Sequence, residues 1–457
     1  MGETRKVEVA IVGGGPAGQA AALVLMELGV NVVVMDEQPR PGGQILRQPP
    51  RDFRVANWMP ERSYVPLRAQ LARFETRIGS SWWGGCSVLG IAPEAGGFEL
   101  AIADGGEVTR VMARKVLIAA GCQDLPVPLP GWTLPGVMAA GGLQAFVKSQ
   151  QLVPGDRIAL AGSHPLQLLI ASQIVAAGGT IAAVAFAQPL RRLLRVVAAH
   201  AVSTVLHAPT LWPVIDALQT LRRAHVPVLF NAPLLAIEGG ARVERVLVGG
   251  NRALACDTVA LCYGFVPQSD LIRQIGAAVR RPGGAGGWAA QVDEWQRTSI
   301  AGVHAAGETT GVAGAYRAVA TGTLAGLGLA LDLKLLSPAE AERRARPCRA
   351  RARALAQFSG LLDTIADPGR YWPALDGDTL VCRCEDVTAA EIETALGASA
   401  GSANAIKLLT RCGMGLCQGR SCEPTLIRLL AARGNVSDPG FTARFPARPA
   451  SIDALLQ

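Results

Sequence analysis

The chain has 457 residues, of which 50% are hydrophobic and 18% are charged. This length exceeds what one hydrophobic core usually organises, so about three domains are expected. The 44 basic and 36 acidic residues give a net charge of +8, but there is no nucleic-acid motif and no aromatic interleaving of the basic residues, so the pattern argues against nucleic acid as a partner.

The N-terminal segment predicts a dinucleotide-binding fold. Residues 7–12 are typical of a buried parallel strand, which runs into a glycine-rich turn and a helix rich in Ala and Leu. In such a turn the first glycine permits the bend, the second lets a pyrophosphate approach, and the third lets the helix pack on the strand. The helix N-terminus offers free amides to the phosphates. The residues expected to bind here are Gly13, Gly15, Pro16, Ala17 and Gly18.

A second strand, residues 31–36, ends in an acid that supports this interpretation. The carboxylate of Asp36 is placed to bind a ribose hydroxyl, and Glu37 lies beside it. Residues 116–121 predict the strand and glycine turn that return the chain to this domain, with Ala120 and Gly121 at the turn. A Rossmann-type fold without a flavin remains an alternative.

Two further patterns resemble the disulfide-reductase family of flavoproteins. In that family a pair of glycines follows the acidic residue that binds the ribose, and Gly43 and Gln44, which follow Asp36 here, are similar to the second glycine of that pair and the residue after it. Residues 298–308 are similar to the family's second FAD fingerprint. That fingerprint usually ends in Asp, whose carboxylate binds the ribityl chain, whereas Gly307 is followed here by Glu308. The resemblance implies an FAD site, or an adenine nucleotide in its place.

The inserted segment, residues 155–265, predicts a nicotinamide-type domain with a decayed motif. His164 and Gln167 stand where a dinucleotide site needs its second and third glycines, and Ala185 stands where a ribose-binding acid would be. A side chain at position 164 would crowd a pyrophosphate. We therefore expect no NAD site, although Arg191 and Arg192 leave NADP open.

Five of the ten cysteines fall between residues 382 and 422. Two close pairs brought together from separate loops supply the four thiolates of an iron–sulfur cluster, without any disulfide geometry. A four-thiolate zinc site and buried free thiols are the alternatives. The expected ligands are Cys382, Cys384, Cys417 and Cys422.

The segments around these cysteines resemble the [2Fe-2S] domain related to bacterioferritin-associated ferredoxin. The resemblance covers residues 378–435 and matches a Cys-x-Cys pair and a Cys-x4-Cys pair, which leaves Cys412 unassigned. The fold class expected for the chain is therefore α/β, a flavoprotein with two dinucleotide-binding domains of the disulfide-reductase type and a small C-terminal ferredoxin-like domain. Its predicted parts are 1–150 and 266–335 for the FAD-type domain, 155–265 for the insertion, 336–377 for an Arg-rich linker, 378–435 for the cluster domain and 436–457 for a tail.

In this order the domains resemble the alpha subunit of bacterial multi-subunit amino-acid and opine dehydrogenases, and the resemblance spans nearly the whole chain. It implies an electron-transfer subunit whose FAD-containing beta partner, similar to amino-acid oxidases, oxidises the CH–NH bond. It also allows a small third subunit and an FMN at the subunit interface. Electrons would leave through the cluster to a quinone or a redox protein.

No catalytic residue is expected in this chain, because it has no redox-active cysteine pair near the flavin motif, no Ser/His/Asp constellation and no HExxH motif. A self-sufficient NAD(P)H-dependent reductase is the main alternative, and a non-enzymatic iron-handling or redox-sensing module is another. No signal pattern precedes the first strand, and the longest apolar stretch, residues 318–331, is too short to cross a bilayer. We expect a cytoplasmic protein with no transmembrane segment, which would meet a membrane only through its acceptor.

Overall fold

The computed structural model describes residues 5–56, 58–200, 208–398 and 401–456. The first nucleotide-binding unit is built on a seven-stranded sheet whose central strands are apolar and buried. From one edge to the other, its strands are Trp82–Gly84, Val32–Asp36, Arg5–Val12, Glu107–Ile118, Gly97–Asp104 and Cys86–Glu94, and Val303–Ala305 pairs with the end of Glu107–Ile118. Since the strands next to Arg5–Val12 are parallel to it, the loops after residues 12, 36, 118 and 305 meet at one edge of the sheet, where parallel sheets of this kind bind ligands.

Helices cover one side of this sheet. Pro16–Glu27 packs against Ala315–Asp332 so closely that a Cβ on Gly322 would come within 2.2 Å of the Ala17 carbonyl oxygen. The long helix Pro338–Ala366 then packs on Ala315–Asp332. It carries the arginine-rich segment, and the guanidinium of Arg349 lies over the ring of Trp295 at 4.4 Å. Much of the predicted linker is therefore a packed helix. A further helix of this unit is Val65–Ile78.

The second unit contains a five-stranded parallel sheet with the order Val228–Leu229, Ile181–Phe186, Ile158–Gly162, Thr258–Cys262 and Val137–Ala139. Val137–Ala139 pairs with this second sheet although the prediction assigned residues up to 150 to the first unit, because the proline-rich crossing ends before residue 137. The helices of this unit are Ala140–Ala145, which continues into the π-helix Phe146–Gln150, Leu166–Ala176, Leu190–Ala199 and Ala208–Arg223. An antiparallel sheet of Leu234–Glu238, Arg245–Val248 and Arg252–Ala255 completes it.

The two crossings between the units run side by side. Cys122–Asp124 leaves the first unit and pairs antiparallel with Phe265–Pro267, which returns to it. The helix Asp270–Gln274 and the small ladder of Val279–Arg280 and Ala289–Ala290 follow.

The C-terminal unit is small and mostly helical. A ladder of Leu380–Cys382 and Val387–Thr388 is followed by the helices Ala389–Gly397, Ala403–Thr410 and Glu423–Ala432. The last helix, Ile452–Leu456, contacts the strand Glu107–Ile118 of the first unit. Thr388 and Glu391 form a capping box at the start of the first of these helices, which fixes where it begins. None of the helices in the described ranges is both long and apolar enough to cross a membrane.

Candidate nucleotide and iron–sulfur sites

The glycine turn after the first strand has the geometry of a phosphate-binding loop. Gly13 has a φ of +105°, and a Cβ there would lie 2.3 Å from the Ala119 carbonyl oxygen, so a side chain is excluded. At Gly18 a Cβ would lie 1.9 Å from the Gly13 carbonyl oxygen. At Gly15, by contrast, the nearest atom to a Cβ would be the Cα of Gly43 at 3.7 Å. The turn is thus closed behind and open in front, which fits the approach of a pyrophosphate.

The helix that follows leaves its first amides free. It begins at Pro16, with Ala17 next, and no side chain of the described residues caps it. Uncapped amides at a helix N-terminus bind anionic groups, because they add to the positive end of the helix dipole. Gly43 lies opposite Gly15, since a Cβ on Gly43 would come within 2.9 Å of the Gly15 Cα, and the side-chain carbonyl of Gln44 accepts a hydrogen bond from Arg47 at 2.9 Å. These contacts fit an FAD-type nucleotide.

Asp36 lies at the end of its strand, beside the turn. Its two oxygens accept hydrogen bonds from the Gly14 amide at 2.6 Å and from the Gln38 amide at 2.7 Å. Burial raises the pKa of Asp36, and these two hydrogen bonds oppose that effect. The carboxylate is therefore fixed in position while still having lone pairs for a ribose hydroxyl.

Glu37 is engaged by the C-terminal segment. Its carboxylate accepts a hydrogen bond from Nε of Arg448 at 2.5 Å. The structure thus brings Asp36 to the turn but pairs Glu37 with a residue that the sequence prediction placed in a tail.

The turn after the strand Glu107–Ile118 lies next to the predicted second FAD fingerprint, residues 298–308. Ala120 and Gly121 follow the strand Glu107–Ile118, and the Gly121 amide donates to the Thr309 hydroxyl at 3.1 Å. Gly307 packs so close to the first helix that a Cβ there would lie 2.8 Å from the Cβ of Ala17. The predicted cofactor-binding residues therefore converge on one edge of the sheet, and their individual roles stay predictions.

Glu308 has two partners of its own. Its carboxylate lies 2.8 Å from the sulfur of Cys122 and accepts a weaker hydrogen bond from the Gly314 amide at 3.3 Å. Burial, together with the neighbouring carboxylate, raises the pKa of the Cys122 thiol well above its ordinary value. Cys122 is therefore held as a hydrogen-bond donor rather than a reactive thiolate. None of the ten cysteines forms a disulfide.

The five C-terminal cysteines come together in three dimensions. The sulfurs of Cys382, Cys412 and Cys422 lie within 4.8 Å of one another, and all three residues are buried. Cys384 is exposed and interacts with the half-buried Cys417. Two of the four predicted ligands, Cys382 and Cys422, therefore lie together at the buried end, which Cys412, left unassigned by the sequence, also joins. The other two, Cys384 and Cys417, interact with each other.

Hydrogen bonds among these thiols perturb their acidity. Contacts from Cys412 and Cys422 lower the pKa of Cys382 strongly. The same contact with Cys382 raises the pKa of Cys412 to about 12. The three sulfurs at the buried end are thus close enough to interact with one another.

Close backbone approach shapes the cysteine loops. A Cβ on Gly415 would lie 2.2 Å from the Cβ of Cys384, and Cβ atoms on Gly413 and Gly419 would lie 2.5 Å and 2.4 Å from the Phe441 ring. Phe441 therefore covers the loop, and it lies in the segment predicted to be a tail. No sequence signal marks it, because an isolated Phe in a polar segment has no periodicity.

The cluster loop is docked directly on the nucleotide unit. Nε2 of Gln123 donates to the Arg420 carbonyl at 3.2 Å, so the residue that follows Cys122 touches the loop between Cys417 and Cys422. Asp270 accepts from Nε of Arg420 at 2.9 Å and from Nη1 of Arg448 at 2.7 Å. Sequence reasoning missed these contacts, since polar residues in loops carry no pattern of their own.

The second nucleotide crevice is filled by the chain itself. At the carboxyl edge of the second sheet, the Ser163 hydroxyl donates to the Ala366 carbonyl at 2.6 Å, and Nε2 of Gln188 donates to the Ile365 carbonyl at 2.7 Å. The end of the long helix therefore lies where a nicotinamide nucleotide would bind. Arg192, which the sequence left open as a partner of a 2'-phosphate, instead donates to the Tyr371 hydroxyl at 3.0 Å.

His164 has a packing role here. Its Nδ1 accepts from the Leu166 amide at 3.1 Å, its ring meets that of Phe265 edge to face, and burial lowers its pKa to about 4. The side chain of Gln167 is buried with no hydrogen-bond partner among the described residues. Both side chains occupy space that glycines would leave free.

Comparison with known proteins places these sites in a family. The sequence-family model "Pyridine nucleotide-disulphide oxidoreductase" matches residues 7–322 of the chain, and the family model "BFD-like [2Fe-2S] binding domain" matches residues 380–432. The chain thus belongs to the pyridine nucleotide-disulphide oxidoreductase family, in the branch that carries this cluster domain. These matches confirm the predicted fold class and the predicted cofactor types, a flavin-type nucleotide and a [2Fe-2S] cluster.

Relatives that match over nearly the whole chain show more closely which members of the family it resembles. The A subunit of opine oxidase from Rhizobium meliloti (strain 1021) is 35% identical over 97% of this chain and 96% of its own length. The HcnB subunit of hydrogen cyanide synthase from Pseudomonas aeruginosa is 33% identical, over 97% of both chains. The crystal structure of L-proline dehydrogenase from P. horikoshii superposes with a TM-score of 0.70 at 20% identity, covering 100% of this chain and 81% of that one, which supports the fold. The chain belongs to the family that contains HcnB and the A subunits of opine oxidases, as the sequence resemblance predicted.

Proposed function

We propose that this chain is the electron-transfer subunit of a multi-subunit flavin-dependent dehydrogenase that acts on the CH–NH bond of an amino acid or opine. The single observation that carries the proposal is the contact between Gln123 and the Arg420 carbonyl. It joins the turn of the nucleotide site to the loop of the cluster cysteines, so that both sites share one interface.

The two sites have complementary electron chemistry. When bound, a flavin exchanges two electrons as a hydride equivalent, and a [2Fe-2S] cluster carries one at a time. The residues of this chain would hold the two groups on either side of the contact between Gln123 and Arg420. Cys382 and Cys422 would be buried ligands of the cluster, and the exposed Cys384 would be the ligand open to an acceptor.

Substrate oxidation is assigned to a partner, an FAD-containing beta subunit similar to amino-acid oxidases. Two features of this chain support a partner. The nucleotide site offers no acid or base for proton abstraction beyond structurally engaged carboxylates among the described residues, and two helices of the second unit expose apolar side chains. On the helices Leu190–Ala199 and Ala208–Arg223 these are Leu190, Leu194, Val197, Trp212, Ile215 and Leu218. Exposed apolar faces of this kind are typical of permanent interfaces.

The remaining parts of the assembly follow the family resemblance. An FMN is proposed at the subunit interface, together with a small third subunit, and a quinone or a redox protein is proposed as the acceptor. The cytoplasm is the proposed location, since cluster thiolates need reducing surroundings during assembly.

A self-sufficient NAD(P)H reductase is disfavoured by the filled second crevice. Ser163 and Gln188 bind the chain's own helix end, so a nicotinamide nucleotide would have to displace two short hydrogen bonds. Without such a nucleotide, reducing equivalents must come from another subunit.

Anaerobic mixing tests the proposal. The isolated chain, with flavin and cluster absorbance verified, is mixed with NADH, with NADPH and with a panel of amino acids and opines. We expect none of these compounds to reduce the flavin or the cluster of the isolated chain, and we expect dye reduction only after an amino-acid-oxidase-like beta subunit is added. Rapid bleaching by NADPH, or substrate turnover by the isolated chain, would contradict the assignment.

A further inference from the structure

The segment that carries the cluster cysteines exposes a patch of large apolar side chains. Leu408 and Leu409 lie in the last turn of the helix Ala403–Thr410, and Met414 and Leu416 lie in the cysteine loop that follows. All four side chains are exposed, Leu408 and Leu416 by 77% and 79%. Such a concentration of exposed apolar side chains in one short stretch marks a surface that another molecule covers.

The apolar patch lies beside the exposed end of the cluster site. The Met414 amide donates to the Arg411 carbonyl at 2.9 Å, and Nε of Arg411 donates to Glu385 at 2.8 Å. A Cβ on Gly415 would lie 2.2 Å from the Cβ of Cys384. The loop with the apolar side chains therefore packs directly on the one predicted ligand that is exposed.

A groove with an excess of positive charge runs along the patch. It has a volume of about 240 Å³, and Met414 lines it together with four basic and two acidic residues. Two of the basic side chains form ion pairs with the two acidic ones. The other two, Lys407 and Arg444, have no acidic partner within the part of the chain that the structure describes, and Lys407 lies over the ring of Phe441.

The hairpin of Cys384 leaves this excess unchanged. It adds one exposed basic residue, Arg383, and one exposed acidic residue, Asp386, while Glu385 is paired with Arg411. The positive charge beside the patch therefore comes from Lys407 and Arg444. Charge of one sign at the edge of an apolar patch selects a partner of the opposite sign and steers its approach.

The shape of this surface fits a protein better than a small molecule. A quinone needs a concave, mostly apolar pocket that encloses most of its surface, whereas here the apolar side chains project outward and the adjacent groove is lined by charges. A protein can cover the patch and place carboxylates along the groove at the same time. The patch is small, and small interfaces are typical of redox partners that bind briefly and leave again.

We propose that the apolar patch and the two unpaired cations beside it form the docking site for an acidic protein that carries one electron. One electron passes from the reduced cluster to the carrier, so that the cluster is oxidised, the carrier is reduced and no bond is made or broken. This docking site deepens the proposed function and rests on it for the source of the electron.

The test uses the full chain and two probe proteins of opposite charge that each accept one electron, the acidic plastocyanin and the basic cytochrome c. Iron and sulfide per chain are measured first. Binding of each dye-labelled probe is followed by fluorescence anisotropy at several salt concentrations, and its reduction by the chemically reduced chain is followed by stopped-flow absorbance. A soluble short-chain quinone is the third acceptor in the reduction experiment.

The variants separate the apolar patch from the charge. Leu408→Ser and Leu416→Ser are combined in one chain, and Arg444→Glu is made in another. The matched control is Leu152→Ser, because Leu152 is 58% exposed and lies in the second unit. All of these side chains are exposed, so the variants should fold and keep their iron.

We expect plastocyanin to bind more tightly than cytochrome c at low salt, and its binding to weaken as salt screens the charges. The double serine variant should bind plastocyanin about tenfold more weakly, since even partial burial of two leucines contributes that much. Arg444→Glu should weaken binding at low salt and have less effect at high salt. Leu152→Ser should behave as wild type, and the reduction rates should follow the same order.

Three outcomes overturn the docking site. The first is that plastocyanin binds no more tightly than cytochrome c, or equally well to the double serine variant and to Leu152→Ser. The second is that the amino-acid-oxidase-like beta subunit abolishes plastocyanin binding, which would make the patch a subunit interface. The third is that the quinone is reduced faster than plastocyanin, and equally fast in all variants.

Failure of the proposed function is distinguishable from failure of the docking site. If the wild-type chain contains no [2Fe-2S] cluster, or receives no electrons from the beta subunit, the proposed function fails. Binding of plastocyanin needs no electron, so the anisotropy measurements decide the docking site in either case.

Discussion

Replacing Asp270 with Asn should loosen the contact between the cluster domain and the nucleotide unit. Asp270 lies between Arg420 of the cluster loop and Arg448 of the C-terminal segment, at 2.9 Å and 2.7 Å. The three side chains are only 29%, 18% and 16% exposed. Arg448 continues the bridge to Glu37, beside the predicted ribose acid. One carboxylate thus joins three parts of the chain that are distant in sequence.

The expected loss is about 2–3 kcal/mol. Hydrogen bonds to charged groups contribute about 1.5–3 kcal/mol each, and two are affected here. Asparagine keeps one carbonyl acceptor but loses the charge, so part of this contribution remains. The matched control is Glu238→Gln, since Glu238 pairs with Arg245 where the side chains are 37% and 58% exposed. A surface pair of that kind contributes about 0–1 kcal/mol.

The assay is urea unfolding followed in the visible region, where the cluster reports on its own domain. Burial alone would raise the pKa of Asp270, but the charges of Arg420 and Arg448 outweigh it and lower the pKa. Because the folded pKa is depressed, the stabilisation by Asp270 is complete above the unfolded value of about 3.9 and is lost as the pH falls through the folded value. The difference between wild type and Asp270→Asn should therefore be constant near neutral pH and shrink below about pH 4.

A loss no larger than that of Glu238→Gln would refute this reasoning. So would a difference that persists unchanged at the acidic end, because the carboxylate would then not be the source of the stabilisation.

Three other perturbations test separate parts of the structure. Cys384→Ser should remove most of the bound iron and sulfide, measured by chemical analysis, whereas Cys86→Ala should retain them. Gly18→Ala should abolish nucleotide retention, measured by mass spectrometry of extracted cofactor, because its Cβ would lie 1.9 Å from the Gly13 carbonyl oxygen. Burial lowers the pKa of Lys148 to about 7, so wild-type stability should rise as the pH increases from about 7 toward the unfolded value of about 10.4. Lys148→Met should flatten that rise in urea midpoints, and an equal rise in the variant would exclude Lys148 as its cause.

The glycine-rich turn of the nucleotide site could be predicted from the sequence because its residue types follow from local steric requirements. Gly13, Gly15 and Gly18 occur within one short stretch with the spacing that a phosphate-binding turn requires. In the structure a Cβ would clash at Gly13 and at Gly18, whereas Gly15 leaves space for a pyrophosphate. The fold class and the family resemblance followed from such stretches and were confirmed. The predicted domain limits and cofactor contacts, Asp36 among them, remain predictions.

The packing of the arginine-rich segment could not be predicted from the sequence in this way. The sequence predicted an Arg-rich linker over residues 336–377, and most of that segment is the helix Pro338–Ala366, with Arg349 over Trp295 and its last carbonyls bound by Ser163 and Gln188. A charged helix looks the same in sequence whether it is solvated or packed.

The sequence by itself determined that this chain carries a dinucleotide turn and a cluster-binding set of cysteines, because those signals need only residues close along the chain. The tertiary structure alone decided that the second crevice is filled by a helix end, that Asp270 and Arg448 tie the two sites together, and that Cys412 joins the buried sulfurs. These contacts join residues far apart in the sequence, and a polar or sulfur side chain acquires its role only when folding brings its partner within a few ångströms.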